Sequence, residues 1–158
     1  METLLVDEAI APTLLPQLAD ALKSANVELR VDDKAQTILG KEAKLATSED
    51  WDTEYLDLIC AVRIVNGIDG AVSHINDHGS GHTDTIITNS SSKAARFQNE
   101  VDSSTVFWNV STRFTDGSEF GMGAEIGIST DKIGARGPMG LNELTSYKWL
   151  GMGNGLIR

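Results

Sequence analysis

The chain has 158 residues, 41% of them hydrophobic, so it can bury one core and is expected to form one structural unit. Its formal net charge of −10 argues against nucleic acid as a partner, because phosphate binding needs clustered lysine and arginine. The sequence has neither an apolar run long enough to cross a membrane nor a signal-peptide pattern. A single cysteine cannot form an internal disulfide, and together these features predict a cytoplasmic protein without a membrane partner.

The first part of the chain alternates short apolar runs with an amphipathic segment. Thr13 is a candidate N-cap for a helix that ends near Ala25, with Pro16 in the first turn, where a missing N–H costs nothing. Four leucines of this segment share one face, so we expect the helix to pack against a sheet. The other elements predicted here are strands at residues 3–6 and 27–31 and a short helix around residues 35–39.

Further along the chain, strands and helices alternate more regularly. The predicted strands lie at residues 59–65, 85–88 and 105–109, and the predicted helices at residues 66–79 and 90–101. Strands that alternate with helices of this length imply right-handed crossovers and a mostly parallel sheet. We therefore predict an α/β fold in which helices cover the sheet.

Toward the C-terminus the pattern changes, because glycines and a proline interrupt it. One helical turn is predicted at residues 141–144. Residues 145–150 and 156–158 flank Asn154-Gly155, a pair that suits a type I′ turn, so we predict a terminal β-hairpin. A lone hairpin is marginally stable and usually pairs with another strand.

The predicted strand at residues 105–108 ends in a long polar loop that carries Ser111, Thr112 and Arg113. Four glycines follow between residues 117 and 127, where the backbone can approach a ligand closely or adopt positive φ. A core strand that ends in such a loop is a common place for α/β proteins to bind small molecules. The residues alone fit an ordinary polar connection equally well.

The same region carries a family resemblance. The motifs are Asn109-Val-Ser-Thr-Arg-Phe-Thr-Asp-Gly, Phe120-Gly-Met-Gly-Ala-Glu-Ile-Gly-Ile-Ser and Ala135-Arg-Gly-Pro-Met-Gly-Leu, preceded in order by Met1-Glu-Thr-Leu-Leu-Val, Glu54-Tyr-Leu-Asp-Leu, Gly81-His-Thr-Asp and Glu100-Val-Asp-Ser-Ser. They resemble the C-terminal motifs of the γ-glutamyl phosphate reductases, which belong to the aldehyde dehydrogenase superfamily. The resemblance extends over essentially the whole chain.

This resemblance implies a sheet with helices on both faces, as in the catalytic domain of aldehyde dehydrogenases. It assigns residues 1–140 to that domain and residues 141–158 to an oligomerisation arm, and it places the dinucleotide-binding domain outside this chain. The implied reaction is the NADPH-dependent reduction of L-γ-glutamyl phosphate to L-glutamate 5-semialdehyde, in proline biosynthesis. The implied partners are this substrate and further copies of the chain, joined through the arm.

The family reaction proceeds through a cysteine thioester, yet Cys60 lies between apolar residues and is expected to be a buried core thiol with a raised pKa. The resemblance places the nucleophilic cysteine upstream of Met1, so we expect no catalytic nucleophile in these residues. An intact hydrolase that uses Cys60 is disfavoured by the apolar surroundings of this residue.

The resemblance also implies roles for residues of this chain. Glu54 matches the carboxylate that binds the nicotinamide ribose, although it also fits a surface residue of an acidic run. Ser111, Thr112 and Arg113 match the loop that faces the amino-acid end of the substrate, where a guanidinium can hold a carboxylate or phosphate by two hydrogen bonds. The alternative for Arg113 is an exposed side chain without a partner. We expect two neighbours of these residues, Asn109 and Glu125, to be structural.

The three histidines predict no metal site. His74, His78 and His82 recur every four residues, but two glycines break the helix before the third histidine. Two other functions remain open beside the reductase. One is a non-catalytic assembly module, and the other is the reductase part of a bifunctional pyrroline-5-carboxylate synthase.

Overall fold

The computed structural model describes residues 1–155 and 157–158. Eight strands and four helices lie within these residues, with short 3₁₀ turns at Ser48–Trp51, Thr112–Phe114 and Asn142–Leu144. The strands are β1 (Thr3–Asp7), β2 (Glu28–Val31), β3 (Lys44–Leu45), β4 (Ile59–Val65), β5 (Thr83–Ile86), β6 (Thr105–Trp108), β7 (Gly127–Ser129) and β8 (Gly137–Met139). The helices are α1 (Ala11–Ser24), α2 (Asp33–Leu39), α3 (Gly67–His78) and α4 (Ser91–Glu100).

The largest sheet has four strands in the order β1-β4-β2-β3, and all of its pairs are parallel. Alternate residues of β4 point to opposite faces, as the pleat of a strand requires. Cys60, Val62 and Ile64 point into the main core, where they meet Leu15 of α1 and Ala35 of α2. The predicted α/β fold with a mostly parallel sheet is therefore confirmed.

The opposite face of this sheet is covered by α3. A guanidinium nitrogen of Arg63 lies 2.7 Å from Nδ1 of His74, which projects from the helix. A Cβ at Gly70 of α3 would lie 3.3 Å from Cβ of Val65, so the small residue lets the helix approach the strand. Helices therefore lie on both faces.

Helix α1 begins three residues earlier than predicted. Its N-cap is Ile10, so the proposed N-cap at Thr13 is wrong, and the hydroxyl of Thr13 instead donates to the carbonyl of Ile10 at 3.1 Å. Pro12 occupies the first turn, where the amide N–H groups have no partner within the helix. Pro16 consequently lies inside the helix and not in its first turn.

The later strands do not extend the first sheet within the described residues. β5 and β6 form a separate parallel pair, and β5 starts two residues before the predicted strand at 85–88. α3 and α4 pack against this pair around Phe97, with Val72 and Val101 beside it. The expectation of one continuous sheet is thus replaced by a four-stranded and a two-stranded sheet.

A short antiparallel ribbon, which the sequence did not predict, joins β7 to β8. Beyond it, the predicted hairpin is absent from the described residues: residues 145–155 contain no strand, and Leu156 lies outside the described residues. Tyr147 and Trp149 are 85% and 91% exposed and pack edge to face against each other at 6.0 Å. A strand needs a partner for its backbone groups, and none faces this segment in the described part of the chain. No helix there is long and apolar enough to cross a membrane.

Candidate functional site

The loop that follows β6 brings Ser111, Thr112 and Arg113 together in one tight turn. The hydroxyl of Ser111 accepts a hydrogen bond from the backbone N–H of Arg113 at 3.3 Å and caps the 3₁₀ turn. The side chain of Arg113 is exposed, and it makes no ion pair or hydrogen bond within the described residues. The turn therefore presents a guanidinium whose donors are available to a ligand.

The start of this loop is fixed by Asn109, which adopts a positive φ of 55°. Its side-chain amide donates to the carbonyl of Thr88 and accepts from the N–H of the same residue, both at 2.9 Å. The indole N–H of Trp108 donates to that carbonyl as well, at 2.8 Å. Asn109 is therefore structural, as predicted.

The glycine-rich continuation of the loop is tightly built around Gly117. A Cβ at this position would lie 2.5 Å from the carbonyl oxygen of Ala124, a distance that no side chain can occupy. The N–H of Gly117 donates to the carboxylate of Glu125 at 2.8 Å, which confirms the structural role expected of Glu125. Gly121 and Gly123 adopt φ of 73° and 74°, as expected for glycines that close a loop.

Glu54 lies in a different part of the molecule, between the 3₁₀ turn at Ser48–Trp51 and β4. It is exposed, and no hydrogen bond joins it to the Ser111–Arg113 turn within the described residues. Glu54 therefore lies in the loop before β4 of the four-stranded sheet, whereas this turn follows β6 of the two-stranded sheet.

The loop that carries Glu54 rests on the buried carboxylate of Asp50. This carboxylate accepts hydrogen bonds from Arg30 at 2.6 Å, from the hydroxyl of Tyr55 at 2.8 Å and from Thr47 at 2.7 Å. Burial alone would raise the pKa of Asp50, but these donors hold it well below its usual range. Burial and the neighbouring Asp50 raise the pKa of Tyr55 to about 12. Asp50 therefore stays ionised and joins Tyr55 of the loop to Thr47 and to Arg30 of β2.

Cys60 lies in the main core with 1% of its surface exposed. Burial raises the pKa of its thiol to about 11, so almost none of it is thiolate at neutral pH. The predicted buried thiol is confirmed. This cysteine is unsuited to act as a nucleophile.

The end of α3 at His78 separates His82 from the other two histidines. His74 and His78 lie on one side of α3 with ring centroids 4.8 Å apart, whereas His82 lies beyond the helix, beside Thr83. His74 is 6% exposed, and burial together with the adjacent Arg63 lowers its pKa to about 4. A neutral His74 accepts the hydrogen bond from Arg63 that fastens α3 to the sheet.

Two open cavities of about 310 and 300 Å³ lie on the surface. The first lies between Gly121, Met122 and residues 141–143. The second lies between β4 and α3, around Arg63 and His78. The residues that line these two cavities include neither Glu54 nor the Ser111–Arg113 turn.

Comparison with known proteins gives a consistent result along the whole chain, although no protein-family model matches it. It is 58% identical to the γ-glutamyl phosphate reductase of Psychrobacter arcticus and 53% identical to that of Ligilactobacillus salivarius, and both alignments cover 100% of the chain. The crystal structure of the γ-glutamyl phosphate reductase of Thermotoga maritima superimposes with a TM-score of 0.96 at 46% identity, over 99% of this chain and 38% of that one. The chain belongs to the γ-glutamyl phosphate reductase family.

The reductase of Saccharomyces cerevisiae is a more distant neighbour. Its structure superimposes with a TM-score of 0.55 at 32% identity, over 77% of this chain and 32% of the yeast chain. The chain spans only 39% of the P. arcticus reductase and 38% of the L. salivarius reductase. The activity of those complete γ-glutamyl phosphate reductases is therefore only proposed for this chain.

Within this family fold, sequence reasoning missed the residues that support the site. Asp50 was not singled out from the sequence, although Thr47 stands three positions before it, the spacing of a capping box. The hydroxyl groups of Thr83 and Thr85, which reach the Ser111–Arg113 loop, were also missed. Their alternation along β5 is the signal that could have shown that both lie on one face of the strand.

Proposed function

We propose that this chain forms the substrate-facing part of a γ-glutamyl phosphate reductase, which converts L-γ-glutamyl phosphate to L-glutamate 5-semialdehyde. The observation that carries the proposal is the 58% identity to such a reductase along the entire chain. It is supported by the exposed Arg113, which the loop after β6 holds on a capped turn.

In this proposal, Arg113 binds the charged amino-acid end of the substrate. A guanidinium donates two parallel hydrogen bonds to a carboxylate, which gives both charge neutralisation and a fixed orientation. Ser111 and Thr112 add hydroxyl groups beside it. The role of these three residues is to bind and orient the substrate, since none of them carries a nucleophile of the required kind.

Glu54 is proposed to bind the nicotinamide ribose of NADPH, which supplies a hydride to the reaction when bound. Its carboxylate is exposed and has no partner within the described residues, so it can accept from both hydroxyls of a diol. The Asp50 network holds the loop that carries it. These residues fit the ribose end of the cofactor. The remaining contacts are proposed to come from a dinucleotide-binding domain outside this chain.

The nucleophile is also proposed to come from outside these 158 residues. The family reaction needs a thiolate that attacks the acyl phosphate, releases phosphate and holds the acyl group as a thioester. Cys60 cannot serve because it is buried and its pKa is raised to about 11. Residues 1–140 thus complete a catalytic domain together with the rest of the reductase.

Residues 141–158 are proposed to form an oligomerisation arm that joins copies of the chain. Tyr147, Trp149 and Met152 are each at least 85% exposed, which is unusual for large apolar side chains that lie close together. An exposed apolar segment of this kind is expected to add a strand to the sheet of a neighbouring subunit. The exposed arm would serve equally in a module whose only role is assembly.

The test uses a chimeric reductase, in which this chain replaces the matching segment of the P. arcticus enzyme. Its activity is followed as NADP⁺- and phosphate-dependent oxidation of glutamate 5-semialdehyde. Arg113→Ala should lower kcat/KM by about 10- to 100-fold, mainly through KM, because a charge-assisted hydrogen bond is lost. Arg113→Lys is the matched control that keeps the charge and loses the paired geometry, and it should be intermediate. Kinetics of Arg113→Ala within threefold of the parent chimera would exclude this role.

A further inference from the structure

The loop that carries Arg113 folds back along β5 and is fastened at three points, two of them on β5 and one at Thr88, just after this strand. At the first, Asn109 clamps Thr88 by two hydrogen bonds. At the second, the hydroxyl of Thr85 donates to the carbonyl of Val110 at 2.8 Å. At the third, the hydroxyls of Thr83 and Thr115 are 2.8 Å apart. The loop thus runs antiparallel to β5, from its end toward its start.

Thr83 and Thr85 are two residues apart in β5, so their side chains point to the same face of the strand. Both are half-buried, and Thr115 is buried with 8% of its surface exposed. A threonine in a strand needs its hydroxyl only for hydrogen bonding, because valine packs in a strand equally well. Here both hydroxyls are used, and each holds a different end of the same short segment.

The third contact extends to His82. Its Nδ1 lies 2.6 Å from the hydroxyl oxygen of Thr83. When Thr83 donates to Thr115, its oxygen is free to accept from an N–H at Nδ1 of His82. The three side chains then form one continuous chain of hydrogen bonds, which holds the hydroxyl of Thr83 toward the loop.

Between the second and third contacts lie only residues 111–114, the turn that presents Arg113. Its internal bonds are local: Phe114 donates to the carbonyl of Ser111 at 3.0 Å and Thr115 to that of Thr112 at 3.3 Å. A single turn held by such bonds is marginal in water. Its orientation is therefore set by Thr85 and Thr83 of β5, which bind Val110 before the turn and Thr115 after it.

We propose that Thr83 and Thr85 are positioning residues that fix the Arg113 turn against β5 and so place the guanidinium for the substrate. The proposal rests on the proposed function of Arg113. The clamp would add specificity to substrate binding by Arg113, because a guanidinium distinguishes a carboxylate by geometry only when its own backbone is held in place.

The first measurement is hydrogen–deuterium exchange in the purified chain, which needs no activity. The double variant Thr83→Val and Thr85→Val keeps side-chain shape and strand preference but removes both hydroxyls. Amides of residues 112–115 should exchange about tenfold faster, while those of β1 and β4 are unchanged. The variant with serine at both positions should behave as the parent. Thr37→Val, the same chemical change on an exposed face of α2, is the matched control.

The second measurement repeats these variants in the chimeric reductase. The double valine variant should raise KM for glutamate 5-semialdehyde by about tenfold and change kcat less, and serine should restore KM. Unchanged amide exchange in the valine variant would overturn the proposal. So would faster exchange with an unchanged KM, if Arg113→Ala itself raises KM.

The two hypotheses fail differently. If neither Arg113→Ala nor the double valine variant changes KM, the proposed function of Arg113 is wrong. If exchange at residues 112–115 nevertheless becomes faster in the double valine variant, the two threonines do hold the turn.

Discussion

Cys60 is the residue that decides whether these 158 residues could supply the nucleophile of the proposed reaction. Its apolar neighbours in the sequence predict burial, and the structure places its thiol in the main core. A thiol with a pKa of about 11 is a weak nucleophile at neutral pH.

In the folded chain, Cys60 should therefore react with a charged thiol reagent at least a hundredfold more slowly than in denaturant. Cys60→Ala should cost on the order of 1 kcal/mol in the free energy of unfolding and leave the activity of the chimeric reductase intact. Rapid labelling of the native chain, followed by reagent absorbance, would refute the buried assignment.

Individual residues were predictable where local chemistry decides their role. Glu125 and Asn109 were expected to be structural: Glu125 accepts from the N–H of Gly117 within the site loop, and Asn109 joins the start of that loop to the backbone of Thr88. The role of Asp50 was predictable only in part: Thr47 stands at capping-box spacing before it, but the donor Arg30 lies 20 residues away. Such partners are set by how strands pair, which the sequence near Asp50 does not contain.

At the scale of elements, α3 depends on one buried polar contact with the sheet. His74 accepts from Arg63 and packs edge to face on Trp51, and His78, Asp77 and Asp52 are its other charged or titratable neighbours. Because the folded chain favours neutral His74, its pKa falls from 6.5 to about 4.

The unfolded chain therefore binds more protons than the folded chain between these two pH values. The contribution of His74 to stability is complete above pH 6.5 and is lost as the pH falls toward 4. The free energy of unfolding should drop by about 1–3 kcal/mol over this range. His74→Asn, which keeps an acceptor for Arg63 but cannot be protonated, should reduce the drop. His78→Asn is the control that leaves it in place. Equal pH slopes for the parent and His74→Asn, from denaturant titrations, would contradict this role.

The elements that the sequence predicted well are those with a clear periodicity. The strand at residues 59–65 and the helix at residues 90–101 agree with β4 and α4 to within one residue at each end. The start of α1 was misplaced because Thr13 has the chemistry of an N-cap, yet Pro12 already occupies the first turn. The break between the two sheets leaves no mark on local periodicity, since parallel pairing depends on strands that are distant in sequence.

At the scale of the whole molecule, the terminal segment leaves Tyr147, Trp149 and Met152 exposed. We expect the purified chain to form a dimer or a higher oligomer through this segment. Replacing Tyr147 and Trp149 with serine should shift it to the monomer, because apolar contact area is lost. Ile133→Ser, which removes an equally exposed apolar side chain elsewhere, is the control. Light scattering that shows the parent chain as a monomer would exclude oligomerisation through this segment.

The central claim is that this chain supplies substrate and ribose contacts of a γ-glutamyl phosphate reductase but not its nucleophile. The most direct test measures NADP⁺- and phosphate-dependent oxidation of glutamate 5-semialdehyde by the chimeric reductase and by the isolated chain, side by side. The chimera should reach the kcat/KM of the P. arcticus enzyme within about tenfold, and the isolated chain should show no turnover. A folded chimera without activity, or turnover by the isolated chain, would contradict the claim.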